Sequence, residues 1–73
     1  MNYSKDTTVY WDWGKGTASG NIKEAHKEKV TKTIQGNKVT HEADGNEPAY
    51  YIQQEDGDHV LKSHSEVRKT KNT

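Results

Sequence analysis

The chain has 73 residues, of which 11 are basic and 11 acidic, and it has no cysteine. This length allows one small domain, and the lack of cysteine excludes disulfide bridges and thiolate metal sites. Zero net charge disfavours a protein dedicated to the phosphate backbone of nucleic acids. No apolar run approaches the roughly 18 residues that cross a bilayer, so we expect a soluble, cytoplasmic domain with no membrane partner.

Large aliphatic side chains are scarce, and the aromatic residues supply the missing apolar area. Nine of the 73 residues are large aliphatics, namely Val9, Ile22, Val30, Ile34, Val39, Ile52, Val60, Leu61 and Val67. A fraction this low indicates disorder only when it comes with a high net charge, which is absent here. Two tryptophans and four tyrosines, each able to bury about 150–250 Å², favour a folded domain over residues 5–69 with flexible ends at 1–4 and 70–73.

The first predicted strand covers residues 7–13 and places Val9, Trp11 and Trp13 on one face. The glycine-rich bend 14–16 ends it. A second strand runs from residue 17 to about 28, with Ala18 and Gly20 sharing the face of Ile22 so that the strand can curve. A helix over 21–32 is the alternative, but its apolar stripe is poor and its end is β-branched.

Four further segments alternate with turn residues. Val30 and Ile34 bound a third strand, the turn 35–38 follows, and residues 39–41 pair back on it. Residues 42–48 form an exposed loop, and Pro48 starts a strand over 49–54. Asp56-Gly57 predicts a two-residue hairpin to the strand 59–62. Residues 63–66 fit a Ser-x-x-Glu capping box, which predicts one helical or 3₁₀ turn ending at Val67.

Five or six short strands in so short a chain predict an all-β fold, a small antiparallel barrel with one 3₁₀ or helical turn near the C-terminus. Closing the sheet is the simplest way for few residues to avoid exposed strand edges. Most of the strands are short, and turn residues separate most of them.

Several motifs in order resemble the hypervirulence-associated Tudor-like domain family over roughly residues 5–69. They are Trp11-x-Trp13-Gly14-x-Gly16-Thr17-Ala18-x-Gly20, Glu28-Lys29-Val30-Thr31-x-Thr33-Ile34-x-Gly36, Asn46-x-Pro48-Ala49-Tyr50 and the segment 54–67. The resemblance implies an SH3-like or Tudor-like barrel without established catalytic residues. The chain departs from the family at residues 5–8, where a Gly-Asp turn is usual, and at Thr8, where lysine is common.

The aromatic residues are also the candidate binding site. Tudor-type barrels commonly hold methylated lysine or arginine in a cage of aromatic rings, because a quaternary ammonium is attracted to ring faces. We predict Trp13, Tyr51 and Tyr10 as ligand-binding residues near the bend, and Trp11 and Tyr50 as core. The expected partner is a protein or peptide, or a modified side chain, and the domain is expected to be a monomer or a weak oligomer.

Two other functions stay open. Positive charge is concentrated in the second and third strands and, with stacking from Tyr10 or Trp13, indicates a weak nucleic-acid-binding barrel. The lysines concerned are Lys23, Lys27, Lys29 and Lys32, with Lys38. Glutamates interleave with these lysines, however, which is typical of a solvated sheet face. A structural module without a small ligand is the remaining alternative.

No motif predicts an enzyme, a metal or a cofactor. The histidines His26, His41, His59 and His64 lack zinc-ligand spacing. His59 and His64 were the pair most able to approach each other, near the last turn. The segment 14–17 lacks the order of a phosphate loop, and serine, histidine and acid within one turn cannot align as a catalytic triad.

Overall fold

The computed structural model describes residues 3–69, which form six strands and one short 3₁₀ helix. The predictions for residues 1–2 and 70–73 lie outside the described part. The elements in chain order are β1 Thr8–Trp13, β2 Gly16–His26, β3 Val30–Ile34, β4 Asn37–His41, β5 Ala49–Gln54, β6 His59–Ser63 and the 3₁₀ helix His64–Glu66.

The strands form a curled half-barrel of two antiparallel sheets. The larger sheet has the order β1-β2-β5-β6, and β3 pairs only with β4 in a separate hairpin. After β6 the chain crosses over to the far side of β1, where Tyr10 and Arg68 exchange backbone hydrogen bonds of 2.8 and 2.9 Å. The all-β prediction and the small antiparallel architecture are therefore confirmed.

One core cluster fills the concave face of the larger sheet. It consists of Val9, Trp11, Ile22, Tyr50, Ile52 and Val67, all buried. Alternation along β1, β2 and β5 brings these side chains to the same face, as the sequence predicts for Val9 and Trp11. Two aromatic residues thus provide the bulk of a core that has few aliphatic side chains.

The β3–β4 hairpin covers part of the opposite face with a second, smaller cluster. Val30, Ala49 and Leu61 are its buried members, and Ile34 and Val39 pack against them. A register shift in β2 between Ile22 and Glu24 moves the residues that follow by one position, so that Glu24 faces this second side. The sheet is therefore covered on both faces, but by different parts of the chain.

The β1–β2 and β3–β4 hairpin turns use backbone conformations that favour glycine. Gly14 has φ +57° in the β1–β2 turn, and Gln35 and Gly36 have φ +51° and +81° in the β3–β4 turn. Positive φ at both central residues is the pattern of a type I′ turn. The predicted turns therefore occur at both places.

The β5–β6 connection differs from the predicted two-residue hairpin, which is wrong. Gln54 donates its backbone N–H to the Asp58 carbonyl at 2.7 Å, and Gly57 donates to the Gln54 carbonyl at 3.0 Å. Three residues therefore form the loop, with Gly57 at φ +93°. This arrangement fits a type I turn followed by a glycine bulge, and Asp56 accepts a further hydrogen bond from the Asp58 N–H at 2.9 Å.

Element boundaries and two local interpretations are corrected. The helical alternative over 21–32 is wrong, because β2 continues to His26 and pairs with β5. β4 begins at Asn37 rather than residue 39, since the turn is tighter than predicted. The loop before β5 is only partly exposed, because Ala43 and Glu47 are half-buried and Pro48 is fully buried. The capping box is present, with the Glu66 carboxylate accepting the Ser63 N–H at 2.8 Å.

Candidate ligand-binding groove

The two tryptophans of β1 share a face but differ sharply in exposure. Trp11 is 3% exposed, whereas Trp13 is 72% exposed. Trp11 lies opposite Ala18 within the core cluster, and Trp13 lies opposite Gly16 at the very end of the strand, beyond the core. Alternation places both indoles on the same face, and Trp13 is exposed because the core ends before it.

A groove of about 140 Å³ lies beside Trp13 on the concave side of the larger sheet. Its lining, called here the indole groove, is Trp11, Trp13, Gln54, Val60 and Lys62. These residues come from β1, from the end of β5 and from β6. The groove forms because the curl of the sheet brings its two outer strands towards each other, with indole on one wall and β6 on the other.

Lys62 supplies the positive charge of the indole groove. Its ammonium nitrogen lies 5.9 Å from the centre of the Trp11 ring, a distance at which the ring attracts a cation. Lys62 takes part in none of the ion pairs formed within residues 3–69. The groove therefore combines an exposed indole, a valine and a lysine with no ion-pair partner in the described part of the chain.

Tyr51 lies on the opposite face of the sheet from Trp13, among other side chains. The His59 ring stacks on it with centroids 4.8 Å apart and planes 8° apart. The Lys32 ammonium lies 4.7 Å from its ring centre and 2.6 Å from a Glu24 carboxylate oxygen. Tyr51 therefore already contacts an imidazole and a cation of its own chain.

Tyr10 lies apart from both Trp13 and Tyr51. It lies opposite Ser19, whereas Tyr51 lies opposite Glu24, five residues further along β2 or about 16 Å at the usual rise of a strand. The Tyr10 backbone is occupied by Arg68, whose guanidinium also bonds the Asp12 carboxylate at 3.0 Å. The structure does not bring Trp13, Tyr51 and Tyr10 together, and their role in ligand binding stays a prediction.

The histidines serve separate local contacts. His64 shares a hydrogen bond of 2.8 Å with the Tyr50 hydroxyl, which also accepts the Tyr3 N–H at 3.0 Å. His59 instead stacks on Tyr51, so the two histidines that the sequence left most able to approach each other contact different tyrosines. Within residues 3–69 no three histidine or carboxylate side chains gather in a way that fits a metal ion. Burial raises the pKa of Tyr50, which keeps its hydroxyl protonated.

Two of the lysines that the sequence offered to nucleic acid lie close to glutamates. Lys32 pairs with Glu24, and Lys29 lies 3.9 Å from Glu42. Glu24 also contacts the His26 ring at 2.7 Å. Lys23, Lys27 and Lys38 make no ion pair within residues 3–69, so glutamates offset only part of the positive charge of this region.

Acid is expected to destabilise the domain through carboxylates that act as acceptors. Hydrogen bonds from Lys32 and His26 lower the pKa of Glu24 below its ordinary value of 4.5. Burial raises the pKa of Glu66, but hydrogen bonds from Ser63 and His41 outweigh it, so the net shift is downward. A lowered folded-state pKa gives stability above the unfolded pKa that is lost as the pH falls through the folded value.

We therefore expect the free energy of unfolding, measured by urea titration, to fall as the pH drops below about 4.5. Glu24→Gln removes one such group and should flatten this dependence. Glu42→Gln is the matched control, because within residues 3–69 Glu42 makes only the long contact to Lys29 and no side-chain hydrogen bond. An unchanged acid dependence in Glu24→Gln would refute the assigned role of that carboxylate.

The sequence singled out the aromatic residues of the groove but missed Val60, Lys62 and Gln54. These lie some 40–50 positions from Trp13 and meet it only because the sheet curls. The available signal was the alternation of β6, which places Val60 and Lys62 on one face. No pattern within the strand says which face lines a groove.

The fold defines the molecule as a small SH3-like or Tudor-like domain. Comparison with protein families matches residues 6–67 to the model of the hypervirulence associated proteins TUDOR domain, and the chain belongs to that family. Comparisons with curated proteins and with solved structures gave no match. The resemblance recognised in the motifs is therefore confirmed. Within residues 3–69 the structure contains no helix able to span a membrane.

Proposed function

We propose that this domain is a non-enzymatic binding module that takes an extended peptide into the indole groove, with Trp13 as the principal contact. The observation that supports this most is the exposure of Trp13, at 72%, in a domain whose described part exposes no other large apolar side chain. Tryptophan is strongly enriched among the residues that dominate binding energy at protein interfaces. Leaving one in water beside a groove has a cost that binding would remove.

Family membership supports the same class of function. Tudor-like domains are generally non-catalytic modules, and residues 6–67 match this family. A cage for a methylated side chain needs two to four accessible rings, and the indole groove offers only one, Trp13, because Trp11 is 3% exposed and lies beneath the Lys62 ammonium. An unmodified peptide is therefore favoured over a modified side chain, and nucleic acid is disfavoured by zero net charge and by paired lysines.

The test is selection from a displayed library of random peptides, followed by affinity measurement on the enriched sequences. Trp13→Ala should weaken binding by about 30-fold, the loss expected when about 2 kcal/mol of a dominant contact is removed. Lys15→Ala is the matched control, because Lys15 is exposed in the adjacent turn and does not line the groove. The control should bind like the unchanged domain.

Two results would contradict the proposal. The first is equal binding by Trp13→Ala when circular dichroism shows both proteins folded. The second is the failure of the unchanged domain to enrich any peptide, which would favour a structural module. A parallel titration with random single-stranded oligonucleotides at about 50 mM salt examines the nucleic-acid alternative, since phosphate contacts are strongest at low salt.

A further inference from the structure

The outer edge of β6 is a free strand edge. β6 is the last strand in the order β1-β2-β5-β6, and within residues 3–69 it has no strand partner other than β5. Gln54 and Asp58 are hydrogen-bonded across the pair, and Val60 and Lys62 follow at alternate positions of the same register. Backbone groups alternate in direction along an antiparallel strand, so His59 and Leu61 aim their N–H and C=O groups away from β5.

Grooves flank this edge on both faces of the sheet. The indole groove lies on the concave side, and a second groove of about 230 Å³ lies on the side of the β3–β4 hairpin. The lining of this second one, called here the hairpin groove, is Ile34, Val39, His59, Val60, Leu61 and Lys62. Val60 and Lys62 border both grooves, so β6 has apolar space on each face of the sheet.

An unpaired strand edge with a groove on each face of the sheet suits an added peptide strand. A peptide strand added beside β6 sends successive side chains to opposite faces, so its residues enter the two grooves in turn. The residue opposite Leu61 faces the hairpin groove, and the residues opposite Val60 and Lys62 face the indole groove. Backbone hydrogen bonds would supply affinity and the alternate grooves would supply selectivity.

The charge of Lys62 determines which ligand residue is favoured opposite it. Lys62 makes no ion pair within the described residues, and Glu66, a nearby carboxylate, already accepts the Ser63 N–H and lies 3.5 Å from His41. Opposite charges directly across a pair of antiparallel strands stabilise the pairing. A residue placed opposite Lys62 is therefore favoured when it is acidic.

We propose, on the basis of the peptide-binding function above, that the ligand adds as an antiparallel strand to the edge of β6 and carries an acidic residue opposite Lys62. Read from its N-terminus, the ligand has an acidic residue, then an apolar residue for the hairpin groove, then an apolar residue for the indole groove. The antiparallel direction is chosen because that pairing is the more stable per residue.

The probe is the synthetic peptide acetyl-Thr-Glu-Val-Leu-Thr-amide, compared with its reversed sequence of the same composition. N-methylation of the central valine removes the hydrogen bond that faces β6 and should weaken binding about tenfold or more. N-methylation of the glutamate is the matched control, because its N–H faces away from the strand. The control and the unmodified peptide should bind alike, and both should bind better than the reversed peptide.

Charge reversal tests the acidic position. Lys62→Glu should weaken binding of the glutamate peptide and improve binding of the peptide in which lysine replaces glutamate. Lys27→Glu, at an exposed position that lines neither groove, should change neither affinity beyond the general effect of net charge. Circular dichroism of both variants checks that they fold.

Failure of this inference is distinguishable from failure of the proposed function. Trp13-dependent binding of library peptides that is insensitive to backbone methylation and to Lys62→Glu would overturn strand addition and leave the peptide-binding function standing. Absence of any Trp13-dependent peptide binding would overturn both. The proposal would be established if Lys62→Glu reversed the preference between the glutamate peptide and its lysine counterpart, and if methylation of the valine N–H weakened binding.

Discussion

Trp11→Ala is expected to unfold the domain. Trp11 is 3% exposed and packs in the core cluster with Val9, Ile22 and Tyr50. Truncating a buried tryptophan to alanine costs about 3–5 kcal/mol, from lost transfer free energy and from the cavity left behind. A domain below about 80 residues has a total stability of that same order, so little folded protein should remain.

Circular dichroism and urea titration measure this effect, with Trp13→Ala as the matched control. The two substitutions remove the same side chain from the same face of one strand, two residues apart. The control should keep a cooperative transition, because Trp13 is largely in water already. A cooperative Trp11→Ala transition at nearly unchanged urea concentration would show that the indole does not support the core.

Gly20→Ala should also be strongly destabilising, for a reason of space. A Cβ atom at this position would lie 2.5 Å from the Ile52 Cγ2 and 2.7 Å from the Gln53 carbonyl oxygen. Real Cβ atoms do not approach other atoms so closely, and one of the two neighbours is backbone that cannot rotate away. Overpacking of this kind typically costs about 1–3 kcal/mol.

Gly45→Ala is the control for the Gly20 substitution. A Cβ at residue 45 would meet no atom within 4 Å, and Gly45 does not have a positive φ. We therefore expect the urea midpoint to fall for Gly20→Ala and to stay nearly constant for Gly45→Ala. Equal midpoints for the two variants would contradict the close approach of β2 and β5 at Gly20.

Local patterns predicted most of the fold. Alternation identified β1 and β3, Pro48 marked the start of β5, and turn residues located each hairpin, because these signals depend on neighbours in the sequence. Gly20 was expected to permit curvature, and the structure gives the physical basis, since β5 passes where a side chain would stand. These features need no knowledge of distant contacts.

Features that depend on distant contacts were missed. The β-bulge after Ile22 has no clear sequence signal, yet it decides that Glu24 faces Tyr51 rather than the core. The separate β3–β4 sheet covers the second face, a role that its own alternation does not reveal. The three-residue loop at Gly57 arises because Gln54 rather than Glu55 closes the hairpin with Asp58.

The candidate site likewise has features that local sequence patterns predict and features that depend on distant contacts. Exposure of Trp13 and burial of Trp11 follow from their position relative to the end of a strand, which the sequence indicates. The association of Trp13 with Val60 and Lys62 follows from the curl of the sheet, which it does not. Tyr10 and Tyr51 were grouped with Trp13 because they are aromatic, whereas the structure places each in a different environment.

Nuclear magnetic resonance of the ¹⁵N-labelled domain can separate the two indoles during titration with a library-selected peptide. We predict that the indole N–H signal of Trp13 and the backbone signals of β6 shift in a saturable manner. The Trp11 indole, being 3% exposed, should respond less. Saturable shifts confined to Tyr10 or to the lysines of β2 and β3, with Trp13 unaffected, would contradict binding at the indole groove.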